Sequence, residues 1–337
     1  MAASYSTGVA SSPVNLLQSL VAWLAAQGWT TDLSAADGPG WRAHLHRGTQ
    51  WVNLRAAMNE KIFPGPSGQI DWTTGYGLGL YLGTGFSGAT AWNAQAGAPV
   101  TNNGHVTGAG MSLPSGSVSA YHFFDDGADH VTVVVEKSPG LFVHCGWGPK
   151  LVRTGTAEDV WYFFGSSPAA YVTAGASVAG PGLNSTAHAP MSHSFTHSLY
   201  VDGTAFVRLD AATWPARWVS NSGTPTTPTP GSEYGWTGLY GRCALNQSTD
   251  AFNVQEGQYP SYRFLEGRSH QVAYPGAMLL PLHFFAESAA ARWAPVGYPP
   301  TVFFAEAVGH GFGASEVWPV GGLNYMVFPN FAVRKAA

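Results

Sequence analysis

The sequence predicts a mainly β protein of the α+β kind: an N-terminal helix packed on an antiparallel meander sheet, followed by a second β-rich region. Three observations predict it. The stretch from Tyr121 to Trp147 runs through β-branched and aromatic residues, interrupted at Asp126-Gly127 and Ser138-Pro139-Gly140, which reads as strands joined by tight turns. Gly and Pro are abundant, 42 and 23 residues, so many turns and short strands are implied. A single segment near the start carries apolar residues at helical spacing between clear start and stop signals.

The helix is expected over about residues 13–27. Ser12 caps it, Pro13 occupies the first helical position, Leu16, Leu17, Leu20, Val21, Trp23 and Leu24 form its apolar face, and Gly28 stops it. The polar residues 1–11 before it read as an arm or an extended edge. After it, Trp29–Leu33, Trp41–His46 and Trp51–Ala57 read as strands, with turns at Asp37–Gly40 and Arg47–Gln50. In the second of these, Trp41, Ala43 and Leu45 alternate with Arg42, His44 and His46, predicting one buried and one polar face. Residues 60–75 are a loop, Gly77–Gly83 a strand with Leu78, Leu80 and Leu82 on one face, and Pro99–Ser115 a long polar loop.

In the meander, Val131, Val133 and Val135 oppose Thr132, Val134 and Glu136. Val134 breaks the alternation, so this strand is expected to be central and buried on most of both faces. Thr156–Phe164 permits a short helix or a strand. Gly165-Ser166-Ser167-Pro168 suggests a division into residues 1–167, helix plus antiparallel β, and 168–337, a second β-rich domain. In the latter, Ser198–Val201, Thr204–Leu209, Thr301–Glu306 and Tyr325–Phe328 read as strands, residues 278–293 mix strand and helix signals, and the Pro/Thr-rich 221–233 is an exposed, stiff loop. No fixed-period repeat is present.

Composition bounds the function. Charged residues are 10 % of the chain, against about a quarter in ordinary globular domains. Aromatics are 13 %, with 13 Trp. A surface this poor in charge suits a subunit that buries much of itself against neighbours. Net charge is −4, and basic runs are lacking, which disfavours nucleic acid and anionic membranes as partners. No apolar stretch approaches the length of a membrane span, and no basic segment precedes the first apolar run, so neither a transmembrane helix nor a signal peptide is expected. Cys145 and Cys243 could pair, and their spacing decides nothing.

Twelve histidines raise the question of metal. His188, His193 and His197 have suggestive spacing, but the intervening Ser194-Phe195-Thr196 lacks the glutamate of a zinc helix. His44 and His46 share a strand face without a carboxylate or third ligand evident from spacing. His122, His130 and His144 could meet across the meander or bond within it. Asp125, Asp126 and Asp129 crowd one turn but lack the spacing and terminal Glu of a calcium loop, and Asp favours turns in any case. For glycoside hydrolysis, Asp71, Glu136, Asp210, Glu233, Glu306 and Glu316 are available and sequence does not pair them. Trp72, Trp92, Trp236 and Tyr240 could stack on sugars. Gly75–Gly79 and Gly309–Gly313 are glycine-rich, yet the first opens no helix and both are weak phosphate signals. No catalytic, cofactor or metal residues are therefore assigned.

Beyond these readings, a set of motifs is familiar. Gln27-Gly28-Trp29 closes the Leu-rich helix. Trp41-Arg-Ala-His-Leu-His46, Trp51-Val-Asn-Leu54, Trp92-Asn-Ala-Gln-Ala-Gly97, Tyr121-His-Phe-Phe124, Val134-Val-Glu136 and Gly140-Leu-Phe-Val-His144 follow, and Trp318-Pro-Val with Val327-Phe-Pro-Asn330 ends the series. The pattern resembles virion structural proteins of tailed bacteriophages, of the kind encoded among tail and baseplate genes. It covers residues 13–165 and, more loosely, the last 30. The resemblance implies a non-enzymatic, virion-located structural protein that assembles with other tail or baseplate proteins and with copies of itself in a symmetric array, without cofactor. A receptor- or glycan-binding tail protein is the second reading, and a polysaccharide hydrolase the third.

Overall fold

The computed structural model describes residues 2–60, 75–98, 109–153, 156–158, 161–165, 196–201, 205–210, 276–281, 284–286, 294–297, 300–308, 315–320, 322–328 and 331–336. They form one helix and antiparallel sheets, a mainly β architecture of the expected class.

The chain enters as strand β1 (Ser4–Ala10), the extended edge foreseen for the polar arm, and passes into helix α1 (Pro13–Ala26). The start of α1 is locked by side chains: Ser12 Oγ accepts from Asn15 N at 3.1 Å, and Asn15 Oδ1 accepts from Ser11 N at 3.1 Å. Its end is a left-handed Gly28, φ 84°, with Gly28 N donating to Ala25 O and Trp29 N to Leu24 O, both at 3.0 Å. This pairing satisfies the last carbonyls and brings buried Trp29 back over buried Leu24.

Strands β2 (Thr30–Asp37), β3 (Gly40–Arg47), β4 (Gln50–Glu60), β5 (Gly75–Gly83) and β6 (Ala109–Ser112) form a five-stranded sheet in sequence order. Next come β7 (Val118–Asp125), β8 (Val131–Ser138) and β9 (Leu141–Gly148), the meander, with the hairpin of β10 (Leu151–Arg153) and β11 (Thr156–Glu158). After β12 (Tyr162–Gly165) the described strands are β13 (Thr196–Val201), β14 (Ala205–Asp210), β15 (Gly276–Pro281), β16 (Phe284–Ala286), β17 (Ala294–Gly297), β18 (Val302–Val308), β19 (Glu316–Val320), β20 (Leu323–Phe328) and β21 (Phe331–Lys335). Of Thr156–Phe164, ambiguous in sequence, the described Thr156–Glu158 and Tyr162–Phe164 are strand. The loop at 221–233 lies outside the described residues.

The seven-stranded sheet runs β1-β7-β8-β9-β12-β13-β14 and a second five-stranded sheet runs β15-β18-β21-β20-β19. Strands from either side of residue 167 therefore share one sheet.

The core explains the order of layers. Leu16, Leu17, Leu20, Val21 and Leu24 of α1 pack with Ala43, Leu45, Val52, Leu54, Leu78, Leu80 and Leu82 of the first five-stranded sheet. Phe123, Val133, Val135, Cys145 and Trp147 of the meander complete that cluster. Each buried Leu contributes on the order of 2 kcal/mol by leaving water. Phe124, Val134 and Phe142 point the other way, into a second cluster with Met326, Phe328, Phe331 and Val333. Strand β8 is consequently apolar on both faces and central, as its faded alternation predicts. Close backbone contact joins the layers. A Cβ on Gly165 would fall inside the van der Waals shell of the Gly110 backbone, so β6 and β12 approach this closely only because residue 165 is glycine.

Candidate functional site

Three polar or open regions stand out against this packed scaffold. The first is the N-terminal edge. No Asp, Glu, Lys, Arg or His precedes Asp32, so β1 and all of α1 are free of such groups. Among the described residues, β1 pairs only with β7, leaving its outer edge open. Thr7 is exposed, and Val9 is 72 % exposed, the largest exposure of any large hydrophobic described. The other sheet edges carry features that discourage pairing. Strand β2 has Asp32, Asp37 and a bulge between Thr31 and Leu33. Strand β14 has Arg208 and Asp210, β15 ends on Pro281, β19 carries Glu316 and Pro319, and β6 is 4 residues long. A bulge between Gly8 and Ala10 limits the regular part of β1 to Ser4–Gly8.

The second region is the face of the first five-stranded sheet that sequence alternation marks as polar. It is only partly wet. His44 is fully buried, a correction to the expected polar face, because residues 84–98 fold over it. Phe86 lies 4.8 Å from its ring, and His44 Nδ1 donates to Asn53 Oδ1 at 2.7 Å. Burial lowers the His44 pKa, so the ring is neutral at pH 7. The covering segment is held by Gln95, whose Oε1 accepts from Ser87 N at 2.7 Å and whose Nε2 donates to Ser87 O, Thr90 O and Ala91 O. Arg42 adds bonds to Thr90 O and Gly88 O. Beside it, His46 Nδ1 donates to Asp32 Oδ2 at 2.8 Å and its ring stacks on Trp51 at 4.3 Å. Asp32 is the carboxylate that spacing did not reveal: the bulge in β2 brings it beside β3. Arg55 bonds Asp37 and Glu60, both at 2.7 Å. Burial acts to lower the Arg55 pKa, and the two carboxylates outweigh it and hold it above its ordinary value.

The third region is the acidic turn between β7 and β8. Asp125 Oδ1 accepts from Gly127 N, and Asp126 Oδ1 accepts from Ala128 N and His130 N, so these carboxylates build the turn as Asp commonly does. Asp125 also receives Arg47 Nη1 at 3.2 Å, Arg47 pairs with Asp129, and the guanidinium lies 4.9 Å from the Trp29 ring. His130 shares a 2.9 Å hydrogen bond with the Tyr162 hydroxyl.

The histidines do not converge. His122 and His144 sit on one row of the meander, each opposite Val134, on the face toward the C-terminal strands, and His130 stands apart in the turn. Burial lowers His122 and His130 to about 4 and His144 to about 3. His197 lies in β13, and His188 and His193 lie outside the described residues. Among the described residues no three of His, Cys, Asp or Glu are grouped to hold a metal. Cys145 is buried with a free thiol, pushed up to about 12 by burial, and Cys243 lies outside the described residues.

The carboxylates considered for hydrolysis are dispersed. Glu136 clasps its own hairpin through Gly140 N and Ser119 Oγ, and Glu316 is exposed on β19. Asp210 and Glu306 lie on β14 and β18, and Asp71 and Glu233 lie outside the described residues. Trp92 is buried and meets Tyr81 edge-on at 5.1 Å, a packing role in place of sugar stacking, while Trp72, Trp236 and Tyr240 lie outside the described residues. Gly75–Gly79 is strand β5, so it forms no phosphate loop, and Gly309–Gly313 lies outside the described residues. Among the described residues no helix is long and apolar enough to cross a membrane.

Searches for relatives add no identity: no protein-family model matches the chain, and no curated protein matches its sequence.

Proposed function

We propose that this chain is a non-enzymatic structural subunit of a bacteriophage tail tip or baseplate, acting through contacts with other virion proteins and with copies of itself. The observation that carries the assembly part is the N-terminal edge: among the described residues β1 pairs on one side only, and neither it nor the helix that follows contains a single Asp, Glu, Lys, Arg or His. An open edge without charge is a hazard for a free monomer and an asset for a subunit that meets a partner there. The resemblance points to tail and baseplate proteins as a class. Many of its motif residues, among them Trp29, Leu45, Leu54, Trp92, Phe123 and Val135, lie in one core, and Phe124, Val134, Phe142 and Phe328 lie in the second, which makes the likeness one of scaffold.

The test is direct. Antibodies against the chain, applied to purified tailed particles and viewed by negative-stain microscopy, are expected to decorate one end of the tail. Label confined to the head, or particles that lack the chain by mass spectrometry, would remove the proposal.

A further inference from the structure

We propose that the strap of residues 84–98 is a lid on a binding site for a neutral, hydroxyl-bearing ligand of the sugar class, whose hydroxyl is held between His44 and Asn53. This goes beyond the assembly reading and does not rest on it.

The site is built from one cross-strand pair. His44 of β3 lies directly opposite Asn53 of β4, so both side chains leave the same face of the sheet, and both are fully buried. Each has a polar atom left over. His44 Nδ1 donates to Asn53 Oδ1 at 2.7 Å, yet neither His44 Nε2 nor Asn53 Nδ2 has a hydrogen-bond partner. Arg42, two residues along β3 on the same face, adds a buried Nε that is also unpartnered. Such groups are costly to bury, and native interiors satisfy them almost everywhere, so their gathering under one strap marks a place where a ligand completes the bonding.

The left-over atoms select the ligand. The neutral imidazole donates its one N–H to Asn53, so Nε2 offers a lone pair, whereas Asn53 Nδ2 offers N–H. A hydroxyl group donates to the first and accepts from the second. A cation meets carboxylates already engaged, Asp32 by His46 and Asp37 by Arg55, and an anion is repelled by the Nε2 lone pair. Aromatic surface stands beside the pair: Phe86 is 4.8 Å from the His44 ring, and Trp51 stacks on His46 at the next cross-strand position. A few polar groups set among aromatic rings is the usual make-up of a small-molecule site.

The strap is built to move as a unit. Thr84 N donates to Ala96 O at 2.7 Å, tying its two ends together, and the bonds from Thr90 N to Ser87 O, Ala94 N to Ala91 O and those of Gln95 run within it. A loop closed at its base and packed on its own side chains is an Ω-loop, a form often used in function. Its base turns on Gly83 and on the left-handed Gly97, φ 73°, and a Cβ on Gly83 would collide with Ala96 O and crowd Asn53 Nδ2. Arg42 holds the strap down through bonds of 3.2 and 3.3 Å to Thr90 O and Gly88 O, at the long end of the range. Breaking these lifts Phe86 from His44 and leaves the ladder of β3, β4 and β5 intact.

The test uses the full chain carrying 15N-labelled histidine. The Nε2 resonance of His44, assigned by its loss in His44→Phe, is followed while D-glucose, D-galactose, D-mannose or glycerol is added to about 100 mM, where weak ligands register. At least one sugar is expected to move it saturably toward the position of a hydrogen-bonded acceptor. Calorimetry then compares the wild type with H44F/N53L, which removes both polar partners together and so keeps the packing, checked by its melting curve. The variant is expected to bind that sugar about 10-fold more weakly or worse. A resonance already at the bonded position and unmoved by all four compounds, as a resident water would leave it, overturns the inference. So does a response to inorganic phosphate in place of the sugars, or sugar binding that survives in H44F/N53L. None of these results bears on the tail assignment, which particle labelling decides.

Discussion

The Tyr5 hydroxyl and His122 Nδ1 share a hydrogen bond of 2.9 Å, and the same hydroxyl reaches Met326 Sδ at 3.8 Å, 321 residues away in sequence. Tyr5 thereby ties the edge strand, the meander and the C-terminal strands at one point. The His122 ring also meets Phe328 edge-on at 5.5 Å. Its neighbour in the row, His144, lies 5.0 Å from Phe331.

Buried histidines in this seam and in the turn between β7 and β8 make stability depend on pH. His122 and His130 are held at about 4 and His144 at about 3, chiefly by burial, against an ordinary value of 6.5. Below pH 6.5 the unfolded chain binds protons that the folded chain refuses. The stabilisation is therefore complete above pH 6.5 and is lost as pH falls toward 4, and to 3 for His144. His122 and His130 are each worth on the order of 3 kcal/mol over their window and His144 about 5 kcal/mol. Urea denaturation at pH 7.5, 5.5 and 4.5 is expected to show a steady fall, and His144→Leu to flatten it. A midpoint unchanged between pH 6.5 and 4.5 would falsify this.

Arg47 is expected to be the most costly single charge to remove. Its side chain is 9 % exposed and Asp125 is 2 % exposed. Arg47→Met leaves that carboxylate buried without its countercharge, for a loss of about 3–5 kcal/mol. Asp125→Asn in the same chain should recover part of it, although the Asn amide still has to accept from Gly127 N. A double-mutant cycle measures the coupling. Additive losses would show that the two groups act separately.

Gln95 organises its segment from within. Replacing it by Ala removes four hydrogen bonds to Ser87, Thr90 and Ala91 at once. The expected result is local: faster amide exchange across residues 84–98 and a red-shifted Trp92 emission, with a global loss of about 2–4 kcal/mol. Unchanged exchange in that segment would show that Arg42 suffices to hold it.

Gly165→Ala probes the close approach of β6 and β12. The added methyl meets backbone, which cannot rotate away. A loss of about 1–3 kcal/mol is expected, as for overpacked cores, measured as a drop in denaturation midpoint. Gly38→Ala is the control: no atom lies within 4 Å of its Cβ position, and only its φ of 60° carries a cost.

How much of this was legible in the sequence follows from the range of each interaction. Helix α1 was readable because Ser12, Pro13 and Gly28 act within a turn of themselves. The meander was readable because its turns are local and because Val134 betrays a second apolar face. The burial of His44 was not readable, since alternation reports which face a side chain takes and says nothing of what later covers it. The Asp32–His46 pair was hidden by a bulge, which shifts pairing without altering composition. The seam between Phe124 or Phe142 and Phe328 or Phe331 was hidden for a simpler reason: its halves are far apart along the chain, and no local pattern links them.

That distance has a consequence for biosynthesis. Phe124, Val134 and Phe142 leave the ribosome long before Met326, Phe328, Phe331 and Val333, their covering residues. For that interval the meander carries an uncovered aromatic surface, the kind of exposed apolar area that makes a partly folded chain prone to aggregate until translation reaches the closing strands.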